Sequence, residues 1–405
     1  SIIVQNENII WNETIFIISE YVQELWVGSC ASVHLSGETL SILPMLEKLT
    51  IHDTEIHLAV EFLQQYSSHL RHITLSSCTL GSLQSSLDLY IHKLSKVLLQ
   101  NCVFTEQLNI LIRTEENHIL DYITIKNCTI DTLGEINLSQ RKVKEFTLFN
   151  NVINRILPST ILHDTETTAI SGNLLDNLDF LAMEVNTQHF TLQGNKINKI
   201  SRHALIVNNA SIIKIESNTF SNIEKQAFVR LRPQMAKDGR ITGTLILSNN
   251  HFYRQQPGSL IFHWSVYDGL KIANNYFYTE LCNCSDVLMF LHKMIEGNRK
   301  IISLYDGNQN KVYNMFKDTS YCQDAAEASH STYINKLCGD SSEFDRHNGG
   351  LVIIVVLIFL ALILGGLLLR EFLRCRKSNI QDKNHDQTWE LISTEIPVND
   401  SESDD

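Results

Sequence analysis

Only five prolines interrupt 405 residues, and charged side chains make up 19% of the chain. So few breakers, beside an apolar content of 43%, exclude a disordered polymer and predict a large buried core. No Lys/Arg-rich stripe occurs in the first 349 residues, and the net charge is −12. That balance excludes a nucleic-acid binder that relies on neutralising phosphates. Nine cysteines are too few for a disulfide framework in a chain this long. H-E-x-x-H, G-x-S-x-G, Walker and dinucleotide fingerprints are all missing. The composition therefore predicts no enzyme, no catalytic residues and no cofactor.

Charge is also missing locally. Leu351 to Leu369 holds nineteen consecutive uncharged residues, long enough as a helix to span a hydrocarbon core of about 30 Å. Arg370, Arg374, Arg376 and Lys377 follow it, whereas Glu343 and Asp345 precede it with Arg346. Basic residues are retained in the cytoplasm, so the pattern predicts a single-pass type I plasma-membrane protein with its N-terminus outside. The tail, 370–405, is too short for a folded catalytic domain and predicts signalling through a recruited cytoplasmic adaptor, if any. Cys375 beside the basic cluster suits palmitoylation or a free thiol, and SESDD suits a phosphosite or plain solvated sequence. Ser1 is not preceded by a secretory signal, which predicts a mature form or a fragment.

What is present is a repeat. The phrases LSSCTL, LQNCVF, IKNCTI, LFNNVI, ISGNLL, LQGNKI, IESNTF, LSNNHF and IANNYF place a Cys or Asn at 78, 102, 128, 151, 173, 195, 218, 250 and 275. Cys30 and Thr54 occupy the same slot earlier, and successive gaps run 24, 24, 24, 26, 23, 22, 22, 23, 32 and 25. Reading outward from each slot gives L-x-x-L-x-L-x-x-N/C, as in Leu70, Ile73, Leu75, Cys78. Later copies replace the first apolar residue with Thr165, Thr187, Ala210, Thr242 or Tyr267. Alternation at L-x-L predicts a short strand with one buried face, and stacked copies predict a parallel sheet. Cys30, Cys78, Cys102, Cys128, Asn151, Asn173, Asn195, Asn218, Asn250 and Asn275 are then a ladder that satisfies backbone groups inside the turn. Spread over several coils, the four cysteines predict buried free thiols rather than a metal site; a Cys78 to Cys102 bond across adjacent coils is the alternative.

The phrase resembles the leucine-rich-repeat family over roughly residues 20 to 280. Asn218, Phe220, Ile223, Ala227 and Phe228 look like its extracellular form. Other stretches, Leu87/Leu89/Ile91, Leu181/Met183/Val185 and Leu260/Phe262/Trp264, alternate as strands and suit a right-handed parallel β-helix. The expected fold class is therefore an α/β or mostly-β solenoid, leucine-rich or β-helical. It fills residues 1–280 with about 11 repeats, followed by a cap at 281–338, a stalk at 339–349, a span at 350–369 and the tail. Cys282, Cys284, Cys322 and Cys338 resemble the C-terminal cysteine-rich cap of extracellular leucine-rich proteins, which implies Cys282–Cys322 and Cys284–Cys338 bonds.

N-x-S/T sequons at Asn12, Asn127, Asn137, Asn209 and Asn283 predict a glycosylated outer surface. The histidines His52, His57, His69 and His72 fall in different parts of their coils and predict surface positions, not a metal. Thr50, Thr74, Thr124, Thr147 and Thr191 line the outward strand positions and offer no acid/base pair. Outward side chains are free of core duty, so the candidate ligand-binding residues are Trp26, His52, Arg71, His72, Lys96, Tyr122, Lys126, Phe149, His189 and Lys214. A basic insertion adds Arg230, Arg232, Lys237 and Arg240. The expected partner is an extracellular protein ligand or co-receptor, in a receptor, co-receptor or adhesion role. The alternatives are a matrix or junction scaffold, or a β-helix polysaccharide enzyme.

Overall fold

The computed structural model describes residues 2–5, 9–10, 21–35, 43–58, 69–80, 86–91, 93–113, 119–138, 142–158, 160–235, 241–278, 312, 315–316 and 319–323. They belong to one compact unit, Ser1–Leu337. No helix among the described residues is long and apolar enough to cross a membrane. Leu351–Leu369 and the tail lie outside the described residues.

The described residues form a parallel β-solenoid, nearly all strand. In the first row Glu24–Gly28, Lys48–His52, His72–Ser76, Lys96–Gln100, Leu120–Lys126 and Val143–Phe149 pair in parallel, each with the next. The later halves of Thr160–Ser171 and Met183–Gln193 continue it, then Ile212–Glu216, Thr244–Ser248 and Gly269–Ala273. A second row runs from Ser32–Leu35 through Val152–Ile156, Leu174–Leu178 and Lys196–Ile200 to His251–Gln255 and Tyr276–Tyr278. A third row links Ser86–Tyr90, the long strand Val103–Arg113, the start of Met183–Gln193 and Leu205–Ala210. The mostly-β form of the expectation is the one adopted, since the return segments are strands too.

Alternation explains the core. Leu25, Leu49, Ile73, Val97, Ile123 and Phe146 form one buried column of the first row, and Val27, Ile51, Leu75, Leu99, Ile125 and Leu148 another. Each such side chain contributes about 1.5–3 kcal/mol by leaving water. In the second row the buried column grows aromatic toward the end: Phe220, Phe252 and Phe277 stack at 5.2 and 5.1 Å. Phe220, Ile223, Ala227 and Phe228 are all fully buried. The polar replacements at the first repeat position bring their own partners. Thr165 Oγ1 bonds Thr168 Oγ1 at 2.7 Å, Thr187 Oγ1 donates to the Glu166 and His189 carbonyls, and Tyr267 OH donates to the Leu231 carbonyl at 2.8 Å.

One expected strand departs. Leu260, Phe262 and Trp264 are buried, but they follow Gly258, held at φ 76°, and lead into the 3-10 helix Trp264–Val266. The left-handed turn at Gly258 breaks the period-two backbone, and Phe262 instead stacks on Phe228 at 5.3 Å. Beyond the last coil, fully buried Val312 and Phe316 close the core, Phe316 meeting Trp264 edge-on at 5.9 Å. Thr319 Oγ1 donates to the Ile272 carbonyl, and Tyr321–Gln323 adds a further second-row strand beside Tyr276–Tyr278. Closing the end in this way covers apolar side chains that the last coil would otherwise expose. Of the four cap cysteines, Cys322 lies in that strand; Cys282, Cys284 and Cys338 fall outside the described residues.

Candidate binding surface

Between the first and second rows the chain turns within two residues. The first is left-handed: Ser29, Asp53, Ser77, Asn101, Asn127, Asn150, Gly172, Gly194, Ser217, Asn249 and Asn274 have φ between 46° and 67°. The second is the ladder residue, pointing inward. Asn195 shows the bonding: Nδ2 donates to the Ile170 carbonyl (2.8 Å) and to Asn218 Oδ1 (3.0 Å), while Oδ1 accepts from the Asn173 backbone N–H and Nδ2, both 2.9 Å. The same pattern runs from Asn151 to Asn275. In the earlier coils sulfur replaces the amide. Cys78 Sγ donates to the Ser76 carbonyl at 3.2 Å, Cys102 Sγ to that of Gln100 at 3.2 Å and Cys128 Sγ to that of Lys126 at 3.3 Å, and all three are free, as is Cys30. Hydrogen bonding to Cys102 together with burial pushes the Cys78 and Cys128 thiols well above their usual range, so they remain protonated donors.

This rigid turn fixes the outer face of the first row into three columns. The first is Glu24, Lys48, His72, Lys96, Tyr122, Glu145, Thr167, His189, Ile212. The central one carries Trp26, Thr50, Thr74, Leu98, Thr124, Thr147, Ala169, Thr191 and Lys214. The third carries His52, Ser76, Gln100, Lys126, Phe149, Ser171, Gln193 and Glu216. Nine of the ten first-row candidates thus share one face, and Arg71 is exposed one residue ahead of His72. Trp26 stacks on His52 at 6.1 Å, whose Nδ1 lies 2.8 Å from Asp53 Oδ2. Lys96 Nζ sits 4.9 Å from the centre of the Tyr122 ring. Phe149 is 42% exposed. Lys214 pairs with Glu216 at 2.5 Å, and that ammonium holds the Glu216 carboxyl below its usual range.

Arg230 and Arg232 do not join this face. Arg230 lies in a turn and Arg232 in the strand Leu231–Met235, which pairs with the third row. Lys237 and Arg240 lie outside the described residues. Among the sequons, Asn127 is exposed in a left-handed turn, Asn209 is exposed at φ 59° within the strand Leu205–Ala210, and Asn137 is half-buried with Nδ2 on Glu135 Oε1. Asn12 and Asn283 fall outside the described residues. No group of three or more His, Cys, Asp or Glu among the described residues is arranged to hold a metal ion.

Two features escaped reading by sequence. Lys48 is the register partner of His72 and Lys96, and the signal was the period itself, 48, 72, 96. On the second row Asp131, Asn154, Asp176 and Asn198 form an outward column, with Asn154 Nδ2 on Asp131 Oδ1 (2.9 Å) and Asn198 Nδ2 on Asp176 Oδ1 (2.8 Å). Each of the two carboxylates takes one amide hydrogen bond from the coil that follows it. No protein-family model matches this chain, and no curated protein or solved structure matches it either.

Proposed function

We propose that the chain is a type I cell-surface glycoprotein that binds a protein ligand or neighbouring receptor through the outer face of its first strand row. The observation carrying this reading is the registered face itself, where Trp26, Tyr122 and Phe149 stand outward among His52, Lys96 and Lys126 on successive rungs. Aromatic and cationic residues anchor most protein interfaces, and a ladder of backbone bonds holds them in place before the partner arrives. A binding role is favoured over catalysis because the outward acids of that face, Glu24, Glu145 and Glu216, sit on separate, distant strands. For the coil itself we infer parallel β-helix geometry: three strand rows and a two-residue left-handed turn at every ladder slot support it. The apolar run Leu351–Leu369 with its following arginines supports membrane anchoring.

Proximity labelling by the full chain on living cells tests the proposal. The expected result is a reproducible extracellular protein partner, lost when Trp26→Ala and Phe149→Asp are combined. Labelling that never reproduces, or that ignores both substitutions, overturns it.

A further inference from the structure

Four consecutive first-row strands, Lys48–His52, His72–Ser76, Lys96–Gln100 and Leu120–Lys126, carry no carboxylate in their three outward columns. They carry Lys48, Lys96 and Lys126, with Arg71 exposed beside His72. On a chain of net charge −12 this is a concentration of the minority sign. Lys48, His72 and Lys96 are direct register partners, so their backbones repeat every ~4.8 Å along the ladder.

The neighbouring acids leave the strip positive. Asp121, one residue ahead of Tyr122, is matched by Lys144 Nζ at 2.7 Å and takes a hydrogen bond from Ser95 Oγ. Glu24 and Glu47 flank the N-terminal side, and Asp53 lies against His52 at 2.8 Å at the same end, away from Lys96 and Lys126. Among the described residues no ion pair engages Lys48, Arg71, Lys96 or Lys126. The field is felt at His72: burial first, then Lys96, Lys48 and Arg71, hold its imidazole below the usual range against the pull of Asp121.

Beside the cations run hydroxyls and amides. Thr50, Thr74 and Thr124 occupy the central column, and in the third Gln100 Nε2 donates to Ser76 Oγ at 2.9 Å. Leu98 and Tyr122 supply the apolar content of the strip. That is too little for insertion into a lipid surface, and the larger apolar anchors of the protein-binding face, Trp26 and Phe149, stand on the strands that flank the strip.

We propose that this strip, centred on Lys48, Arg71, His72 and Lys96, binds a linear sulfated polysaccharide laid along the ladder. It rests on the reading of the first-row face as the binding surface and names one class of partner for its N-terminal part. A linear polyanion matches cations repeated along one axis and gains from releasing its counterions; the threonine hydroxyls and the Gln100 amide meet sugar hydroxyls.

The test measures binding of the purified full chain in detergent to immobilised heparin across a salt series. Wild type is expected to bind, more weakly as salt rises. The double variant Lys48→Glu/Lys96→Glu is expected to bind at least about tenfold more weakly, with the slope of log affinity against log salt reduced by about two. Lys196→Glu, on the second row, should match wild type, and an unchanged circular dichroism melt shows that each variant folds. Failure of wild type to bind heparin, or equal binding by the double variant, overturns the proposal. Poly-glutamate displacing heparin at equal charge also overturns it, in favour of an acidic protein partner. If heparin is not bound while Trp26- and Phe149-dependent labelling persists, the glycan inference alone falls; if both are absent, the binding-face reading falls with it.

Discussion

Replacing Asn195 by Ala removes four hydrogen bonds from the turn ladder at once. The Asn173 backbone N–H and one Asn173 amide hydrogen lose their acceptor, and the Ile170 carbonyl loses a donor, all in a site where Asn173 and Asn195 are each 1% exposed. Asn218 Oδ1 keeps the Asn195 backbone N–H at 3.0 Å and is only half deprived. An orphaned buried group costs about 1–3 kcal/mol, so three of them predict a local loss of about 3–9 kcal/mol, with the lower end reached if a water enters. Repeat arrays open coil by coil, so a single unfolding midpoint is the wrong readout. Hydrogen exchange of the full chain, resolved by peptide, should show protection around 168–175 falling by at least roughly 100-fold. Lys196→Ala, one residue away and exposed, should leave it unchanged. A fall of less than about fivefold, or the same fall for both variants, would refute the assignment of the ladder as a structural element.

Cys102→Ala, which removes the sulfur bonds to the Gln100 and Leu75 carbonyls at 3.2 and 3.5 Å and those with Cys78 and Cys128, all weaker than the amide bonds, should lower protection less, by about tenfold. Gly172→Ala and Gly194→Ala should destabilise about equally: both glycines have φ near +65°, and the atom that a Cβ at 172 would crowd, Asn150 Oδ1, ends an exposed side chain that can turn away, while at 194 the nearest atom is 3.9 Å off. Hydrogen exchange of the peptides around the two turns compares them directly, and a much larger loss of protection at 172 than at 194 would contradict this. Phe252→Ala, at the centre of the stacked phenylalanines, should cost about 3–5 kcal/mol in local exchange of the last coils. Burial lowers the imidazole pKa of His251, so the unfolded chain takes up a proton near pH 6.5 that the folded chain refuses. Its effect is therefore a loss of stability as pH falls below about 6.5, absent above it. His251→Phe keeps a ring against Tyr276 and should flatten the drop in melting temperature between about pH 7.5 and about pH 5.5; an unchanged slope would sink the assignment.

The ladder slots and the inward columns were legible because each coil must repeat the same inward side chains at the same place. Ser29, Asn101 and Gly172 ahead of the slots carry a further signal: residues that tolerate a left-handed backbone recur there. Lys48 shows how single-coil reading falls short, since its meaning lies in what stands 24 and 48 residues later. The column Asp131, Asn154, Asp176, Asn198 was hidden for another reason: outward positions are free to change residue type, so no repeated letter marks it. The closing segment has no periodic signal at all. Thr319 reaches Ile272 across 47 residues, and Phe316 is recognisable as core only once the last coil is in place.

The passage from sulfur to amide along the ladder also grades the molecule mechanically. Coils between Cys30 and Cys128 are clasped mainly by thiol bonds of 3.2 to 3.5 Å, apart from Thr54 Oγ1 on the His52 carbonyl at 2.8 Å, and those after Asn151 mostly by amide bonds near 2.9 Å. A pull on the N-terminal end would peel the sulfur coils first and stop where the asparagines begin. The cationic strip lies on the yielding part, so a long polymer bridging Lys48 to Lys126 would act as an external splint, stiffening the coils that the ladder holds least firmly.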